Sequence, residues 1–326
     1  MGTEHNIVYT MIKNIIFSII ICTKNREDLL LKSVAALINQ TGNIQGPTME
    51  IIIVNGSIGS IDRLSRLPIP TNIRIRHKHF YKEGISFARN YGVSLSKGKY
   101  ICFVDDDTIV DSKWISVLSK SIQKHPTQVV FGEIIPVFEK KVNPITVQSI
   151  EDVTPWIFTA VKANNPKSIW PYAVNVCIPK GIFTTYGHFS ELFANEEGPV
   201  KHPYGEDPEF FARILKKGVR ARFEQRLKCD HHLDSNRISL QYLLTRYIDD
   251  GRNSVLGYIN ETKQIHFFKI IKFIFHDVVR AIQENSALNP YSYLYIVTKT
   301  VGEVQMIFYL IRYHSYYHRW LFTLKD

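Results

Sequence analysis

Short apolar runs alternate with amphipathic segments over the first hundred residues. The runs at 14–22 and 49–54, with a weaker one at 73–77, predict strands that are covered on both faces. Residues 27–40 and 84–96 carry their apolar side chains at helical spacing. Strands that alternate with helices in this way predict a largely parallel sheet joined by right-handed crossovers.

One apolar run ends in three adjacent carboxylates. Residues 99–104 predict a buried strand, and Asp105, Asp106 and Asp107 follow it directly. Neighbouring carboxylates repel one another and retain protons unless a cation neutralises them. Ligands of α/β sheets bind at the carboxyl ends of the strands, and hard divalent cations prefer oxygen ligands. The sequence therefore predicts a metal site here, with a simple polar turn as the alternative.

The middle of the chain is predicted to continue the same domain. Apolar runs at 128–135, 173–178 and 219–224 predict further strands. The sequence Gly-Glu-Asp-Pro at 205–208 predicts the start of a helix, with Asp207 as its N-cap and proline at the first helical position. We therefore expect one α/β domain over residues 1–235.

Residues 236–326 differ in character, because helices rich in aromatic and basic residues replace the alternating pattern. The stretches 265–282 and 291–317 are apolar but interrupted by charges, so neither offers the roughly 18 uninterrupted apolar residues of a spanning helix. We expect a helical region that packs on the α/β domain, forms a homodimer interface or contacts a membrane surface.

The charge balance narrows the class of partner. The 326 residues include 40 Lys and Arg against 30 Asp and Glu, for a net charge of +10 and a pI near 9.3. This favours an anionic partner such as nucleotide phosphates or an anionic membrane surface. No compact run of basic residues is present, so we do not expect a nucleic acid partner.

The four cysteines, which are far apart in sequence, and an N-terminal apolar run indicate the cellular location of the protein. None of the cysteines forms a CxxC pair, and Cys22 and Cys102 fall inside predicted strands, which indicates reduced and buried thiols. The apolar run at 15–22 has no cleavage-site pattern and continues into a polar motif, so we interpret it as a strand and not as a signal peptide. A cytoplasmic location is expected, in which the protein is either free or peripheral on the inner face of the membrane.

Taken together, these motifs resemble the family 2 glycosyltransferases of the GT-A fold over roughly residues 15 to 235. The resemblance is carried by residues 19–26, 50–57, 84–92, 98–107, 175–180, 186–193 and 205–218, in that order. It implies a Rossmann-like α/β fold, with a mostly parallel central sheet flanked by helices and followed here by a C-terminal helical extension.

The resemblance also implies a reaction. It is the metal-dependent transfer of a sugar, with inversion, from a nucleotide-diphosphate sugar, preferably a UDP-sugar, to a hydroxyl of a glycan or glycolipid acceptor. Synthesis of a surface polysaccharide is the implied setting. Retention of configuration and a non-catalytic protein that binds nucleotide sugars stay open as alternatives.

The resemblance also implies which residues contact the metal and the nucleotide. Asp107 would bind Mn²⁺ or Mg²⁺, Asp105 would contact the metal or the ribose, and Asp106 is the variable member of the motif. The expected nucleotide contacts are Thr23, Asn25, Arg26, Asn55, Arg89, Asp105 and Asp106. Asn55 departs from the family pattern, which usually has Asp there, yet an amide can still pair with the imide edge of uracil.

The acceptor side rests on two further motifs. By resemblance, Asp207 would be the general base that deprotonates the acceptor, and Glu206 would orient that acceptor. His231 and His232 follow a predicted strand near the same sheet edge. Adjacent side chains of an extended segment point in opposite directions, so only one of them should reach the metal, and we prefer His232.

Two rival enzyme classes lack their expected motifs. A nucleotidyltransferase would need a glycine-rich phosphate loop after the first strand, and residues 23–26 contain no glycine. A dinucleotide oxidoreductase would need a GxGxxG motif at the same place, which is also missing.

Overall fold

The computed structural model describes residues 15–40, 49–59, 61–193, 204–284, 289–313, 315 and 317. Eight strands lie within these residues: β1 (Phe17–Thr23), β2 (Met49–Asn55), β3 (Ile73–His79), β4 (Tyr100–Val104), β5 (Thr108–Val110), β6 (Val129–Phe138), β7 (Asn175–Pro179) and β8 (Ala221–Leu233). The helices are α1 (Glu27–Ile38), α2 (Ile85–Leu95), α3 (Trp114–Lys124), α4 (Pro144–Val153), α5 (Gly181–Tyr186), α6 (Glu206–Lys216), α7 (Leu240–Thr262), α8 (Phe267–Glu284) and α9 (Pro290–Arg312).

The strands form one mixed sheet in the order β3-β2-β1-β4-β7-β6-β8-β5. Strands β3, β2, β1 and β4 run parallel, as the alternating pattern predicts. Strand β7 runs antiparallel to both β4 and β6, whereas β8 runs parallel to β6. The carboxyl ends of β1, β2 and β4 therefore meet at one edge, where the three aspartates follow β4.

A buried carboxylate holds the parallel half in register. Glu50 on β2 is fully buried and accepts hydrogen bonds from Ser18 Oγ (2.7 Å) and Arg76 Nη1 (3.0 Å). Arg76 also donates to the carbonyl of Leu95 at the end of α2 (2.7 Å). Because a buried charge is costly unless it is paired, this network favours one alignment of β1, β2 and β3.

A bulge interrupts the pairing of β6 with β8. Gly132 pairs with Glu224, but the next residue of β6 pairs with Lys228, so three residues of β8 stand outside the ladder. Asn175 secures this irregularity, because its Nδ2 donates to the carbonyl of Leu227 (2.9 Å). A Cβ on Gly132 would lie 1.8 Å from the same carbonyl oxygen, so only glycine fits at this position.

The C-terminal helices pack against one another and against the α/β region. Helices α7 and α9 cross closely, since a Cβ on Gly251 would lie 1.9 Å from the carbonyl oxygen of Lys299, and one on Gly302 would lie 2.0 Å from that of Ile248. One apolar cluster joins Phe193 to side chains of α7, α8 and α9, and a second joins Phe158 to α7. The helical region is thus continuous in packing with the α/β region.

Helix α9 is the one helix of the described residues that is long and apolar enough to cross a membrane, judged by length and composition alone. It carries Lys299 and Glu303, both buried, and Lys299 forms an ion pair with Asp277 of α8. Charges buried against neighbouring helices, together with the close crossing at Gly302, favour a packed helix over a lipid-facing span.

Candidate active site

A cavity of about 1540 Å³ opens at the carboxyl edge of the parallel strands. One half of its wall comes from the loops that follow β1, β2 and β4 and from the start of α2. The other half comes from residues 156–174, from the start of α6, from the end of β8 and from α7. The cavity can therefore hold two ligands side by side, with the three aspartates in its wall.

Asp106 fixes the loop after β1 to the loop after β4. Its carboxylate accepts hydrogen bonds from Thr23 Oγ1 (2.7 Å) and Arg26 Nη1 (3.2 Å), and its carbonyl accepts one from Ser33 Oγ (2.8 Å). Burial raises the pKa of Asp106 to about 6, against the opposing effect of the bond from Thr23. The structure thus gives this residue a positioning role in the wall.

Asp105, Asp107 and His231 form a compact group, in which one potential ligand atom from each lies within 4.8 Å of the others. His231 Nε2 lies 3.2 Å from Asp107 Oδ1, which is buried. Burial favours the neutral form of Asp107, but His231 and Arg26 outweigh it and hold the pKa below its ordinary value.

This donor set fits a divalent cation. Two carboxylates and one imidazole are ligands that Mn²⁺ accepts, and carboxylates also suit Mg²⁺. The arrangement of the donor set supports the fit, because its three ligand atoms lie within 4.8 Å of one another and His231 Nε2 approaches Asp107 Oδ1 to 3.2 Å. Asp105, Asp107 and His231 are therefore the residues that could hold the ion.

The structure corrects the preference for His232. Strand β5 pairs with β8 so that Thr108 lies opposite His231, which turns its side chain toward Asp107. His232 instead uses its backbone N–H to donate to the carbonyl of Asp107 (2.8 Å), and its side chain points to the other face of the strand. His232 still lines the cavity, but it is not in the group with the aspartates.

Arg89 connects this group to the start of α6. Its buried guanidinium donates from Nη1 to Glu206 and from Nη2 to Asp105 Oδ1 (3.4 Å). Burial raises the pKa of Asp105, and the charge of Arg89 opposes that rise. Arg89 was expected to contact the nucleotide and Glu206 to contact the acceptor. Both side chains lie in the cavity wall, where they form an ion pair with each other.

Asp207 is not the N-cap of α6, because the helix already begins at Glu206. Gly205 is the cap and has a φ of 109°, which favours glycine. Asp207 Oδ2 accepts a hydrogen bond from the backbone N–H of Ala173 (3.1 Å), and the residue lines the cavity. Burial and then the charge of Glu206 raise its pKa to about 7, which suits a group that takes up a proton near neutral pH.

Asn55 lies away from the cavity wall, in contrast to the expectation that it contacts a base. Its side chain is fully buried: Oδ1 accepts from the N–H of Ser57 (2.8 Å), and Nδ2 points to the carbonyl of Gly59 (3.4 Å). The amide therefore shapes its own loop. Asn25 does line the cavity, with a φ of 59°, and its N–H donates to Ser57 Oγ (2.6 Å).

Most residues of the second half of the cavity were not predicted from the sequence. Its aromatic and charged lining includes Trp156, Trp170, Tyr172, Tyr204, Tyr242, Arg246, Asp249 and Asp250. Four of these residues precede α6, and helix α7 supplies the other four. Aromatic rings beside hydrogen-bonding groups are typical of small-molecule sites.

Comparison with known proteins gives the family. Residues 18–184, more than half of the chain, match the model of glycosyl transferase family 2. An uncharacterized glycosyltransferase of Haemophilus influenzae is 23% identical over 233 residues, which cover 69% of this chain and 68% of that protein. An uncharacterized glycosyltransferase of Rickettsia bellii is 32% identical over 106 residues, which cover 32% of this chain but only 15% of that longer protein.

Solved structures agree on the fold. The structure of S. aureus TarS 1–349 in complex with UDP-GlcNAc superimposes with a TM-score of 0.50 at 12% identity, and the match covers 92% of each chain. At that identity the likeness concerns the GT-A fold alone. The family match over more than half of the chain establishes that this chain belongs to glycosyl transferase family 2 and is a glycosyltransferase.

Proposed function

We propose that the protein transfers a sugar, with inversion and with the help of Mn²⁺ or Mg²⁺, from a UDP-sugar to a hydroxyl of a glycan or glycolipid. The observation that carries this proposal is the presence of the Asp105, Asp107 and His231 group and of Asp207 in the wall of one cavity. The complex of TarS with UDP-GlcNAc supports UDP as the nucleotide. Synthesis of a surface polysaccharide at the cytoplasmic face of the membrane is the proposed setting.

The donor side must neutralise the leaving diphosphate. Asp105, Asp107 and His231 would hold the cation, which when bound supplies positive charge to the phosphate oxygens. Arg26 is half exposed and lies between Asp106 and Asp107, so its guanidinium can turn part of its donor set toward a phosphate. Thr23 and Asn25 line the same wall and would contact the nucleotide.

The acceptor side must remove a proton. Asp207 Oδ2 is held by Ala173, so the other carboxylate oxygen remains to accept the proton of the attacking hydroxyl. Glu206 and Arg89 lie beside it as a buried ion pair, and the negative charge of Glu206 makes Asp207 more basic. Their role is to position and tune Asp207.

The pH dependence of the reaction should reflect Asp207. Its pKa is raised to about 7, and a general base works only when it is ionised. With saturating donor and metal, the rate is expected to rise through pH 7 and to level off above it. Stopped assays between pH 5 and pH 9 would measure the profile. A rate that is already level at pH 5, as expected for a base with the ordinary aspartate pKa of about 4, would contradict the assignment.

A test against the non-catalytic alternative uses hydrolysis of the donor. In the presence of Mn²⁺, slow release of UDP from UDP-GlcNAc by the wild-type protein is expected, because water can replace the acceptor at Asp207. Binding of UDP without any turnover of UDP-GlcNAc or other UDP-sugars, even with a glycan acceptor present, would favour the non-catalytic reading.

We also propose that α8 lies on an anionic membrane surface. Phe268, Ile271, Phe275 and Ile282 are exposed at spacings that place them on one stripe of the helix. The exposed charged side chains described on α8 are Lys269, Lys272 and Arg280, all of them positive. An apolar stripe beside a cationic one is the pattern of a helix that lies in the plane of an anionic bilayer.

Binding to vesicles tests this surface. Lys269→Gln combined with Lys272→Gln is expected to weaken binding to vesicles that contain phosphatidylglycerol by about 30-fold, at about 1 kcal/mol for each charge. The matched control removes Lys120 and Lys124, which are exposed on α3. Sedimentation of the protein with vesicles at low salt measures the effect. A stable dimer that ignores vesicles would contradict the membrane proposal and assign the stripe to a second copy of the chain.

A further inference from the structure

We propose that the acceptor carries an anionic group, a phosphate or a carboxylate, and that Arg246 binds it. This inference rests on the proposed transfer reaction, and it adds the chemical class of the acceptor. Arg246 lies on α7, outside the residues that match the family model, and its side chain is part of the cavity wall.

The guanidinium of Arg246 has unused hydrogen-bond donors. Its Nε and Nη1 atoms are buried, and neither has a hydrogen-bond partner in the part of the chain that the structure describes. A buried donor without a partner is costly to the fold, and the cost is highest for a charged group. Such a group is retained at a cavity wall when a ligand satisfies it, and a guanidinium is best satisfied by two oxygens of one oxyanion.

Two aromatic rings hold this guanidinium in place. Its central carbon lies 3.3 Å from the centroid of the Tyr204 ring and 5.7 Å from that of the Trp156 ring. Stacking on an aromatic face occupies the plane of a guanidinium but leaves its N–H edge available. The rings therefore preorganise Arg246 for an in-plane, two-point contact.

The carboxylates near Arg246 have other hydrogen-bond donors. Asp249 accepts from Arg252 Nη1 (3.1 Å), and Asp250 accepts from Tyr295 Oη (2.9 Å). The charge of Arg246 acts to lower the pKa of both carboxyl groups, against the effect of their burial, but neither accepts a hydrogen bond from its Nε or Nη1. Lys299 adds a further positive charge near Asp250. The negative charge around Arg246 is thus offset in part by neighbours, and the guanidinium edge is left for a ligand.

Arg246 lies on the acceptor side of the cavity. Its stacking partner Tyr204 immediately precedes Gly205, the residue that caps the helix of Asp207. Tyr172 lies near both Asp207 and Asp250, since burial and the charges of those two carboxylates raise its pKa. An anion at Arg246 would therefore belong to the molecule that presents its hydroxyl to Asp207, separate from the diphosphate at Asp107.

The experiment titrates sn-glycerol 3-phosphate into the full chain, first with UDP and Mn²⁺ present in saturating amounts and then without them. UDP fills the donor site, so the remaining phosphate binding reports the acceptor side. Arg246→Gln is expected to weaken that binding at least tenfold and to leave UDP affinity unchanged. Arg222→Gln, at an exposed position of β8 outside the cavity wall, is the matched control and should behave as the wild type.

A second arm separates the two sources of negative charge. Glucuronate replaces the phosphate ester, and the tighter of the two ligands identifies whether the acceptor carries a phosphate or a carboxylate. Equal binding by wild type and Arg246→Gln, or binding of neither probe to the wild type, would overturn the inference. Failure of UDP to bind would instead count against the proposed function, and the titration without UDP would still report on Arg246.

Discussion

Replacement of Asp207 by Asn is expected to lower the transfer rate by roughly 10²- to 10⁴-fold, the usual contribution of a positioned general base. The amide has nearly the shape of the carboxylate and can still accept the hydrogen bond from Ala173, so the start of α6 should keep its structure. What is lost is the ability to take up the proton of the acceptor. UDP release from the donor in the presence of acceptor measures the rate.

The control for this variant is Asp152→Asn, which makes the same chemical change at an exposed site on α4. Binding of UDP with Mn²⁺ should be equal in the wild type and both variants, because Asp207 lies on the acceptor side. Undiminished transfer by Asp207→Asn would remove Asp207 from the mechanism, and Glu206 would become the residue to test next.

Removal of Asp107 is expected to abolish the dependence of UDP binding on Mn²⁺. Loss of a residue that merely supports a metal ligand typically costs 10- to 100-fold in metal affinity, so loss of a proposed ligand should weaken Mn²⁺-dependent UDP binding by about 100-fold or more. Calorimetric titration of UDP with and without Mn²⁺, on wild type and Asp107→Ala, gives the comparison. GDP in place of UDP tests the nucleotide.

The two adjacent histidines provide an internal control for the metal site. His231→Gln should weaken Mn²⁺-dependent UDP binding, because His231 Nε2 lies 3.2 Å from Asp107. His232→Gln should leave the Mn²⁺ dependence intact, because its side chain lies outside the group. If His232→Gln weakened the Mn²⁺-dependent binding and His231→Gln did not, His232 would be the metal ligand. The end of β8 would then have a different arrangement when the metal is bound.

The family, the parallel half of the sheet and the position of the aspartates could be predicted from the sequence because each depends on local pattern. Apolar runs define β1, β2 and β4, and the aspartates follow β4 directly. The choice between His231 and His232 depends on the long-range pairing of β8 with β5, which places His231 opposite Thr108. The local sequence of the two histidines does not encode that pairing.

The acceptor half of the cavity could not be predicted because it is assembled by long-range packing. Arg246 is about 40 residues from Asp207 in sequence and reaches the wall only because α7 packs beside α6 and the 156–172 segment. Asn55 is the converse case, a residue that was predicted to belong to the site but lies outside the cavity wall. Its place in a motif indicated a nucleotide contact, but its amide forms hydrogen bonds within its own loop.

The close crossing of α7 and α9 divides the surface of α7 into a constrained side and an adaptable one. At Gly251 and Gly302 even a methyl group would collide with the backbone of the opposite helix, so neither glycine can be replaced while the helices keep this crossing. The side that bears Arg246 and Tyr242 lines the cavity and is packed against side chains such as Tyr204, not against the backbone of a second helix. Engineering of acceptor choice should therefore vary the cavity-facing residues of α7, on a support that the glycine crossing keeps fixed.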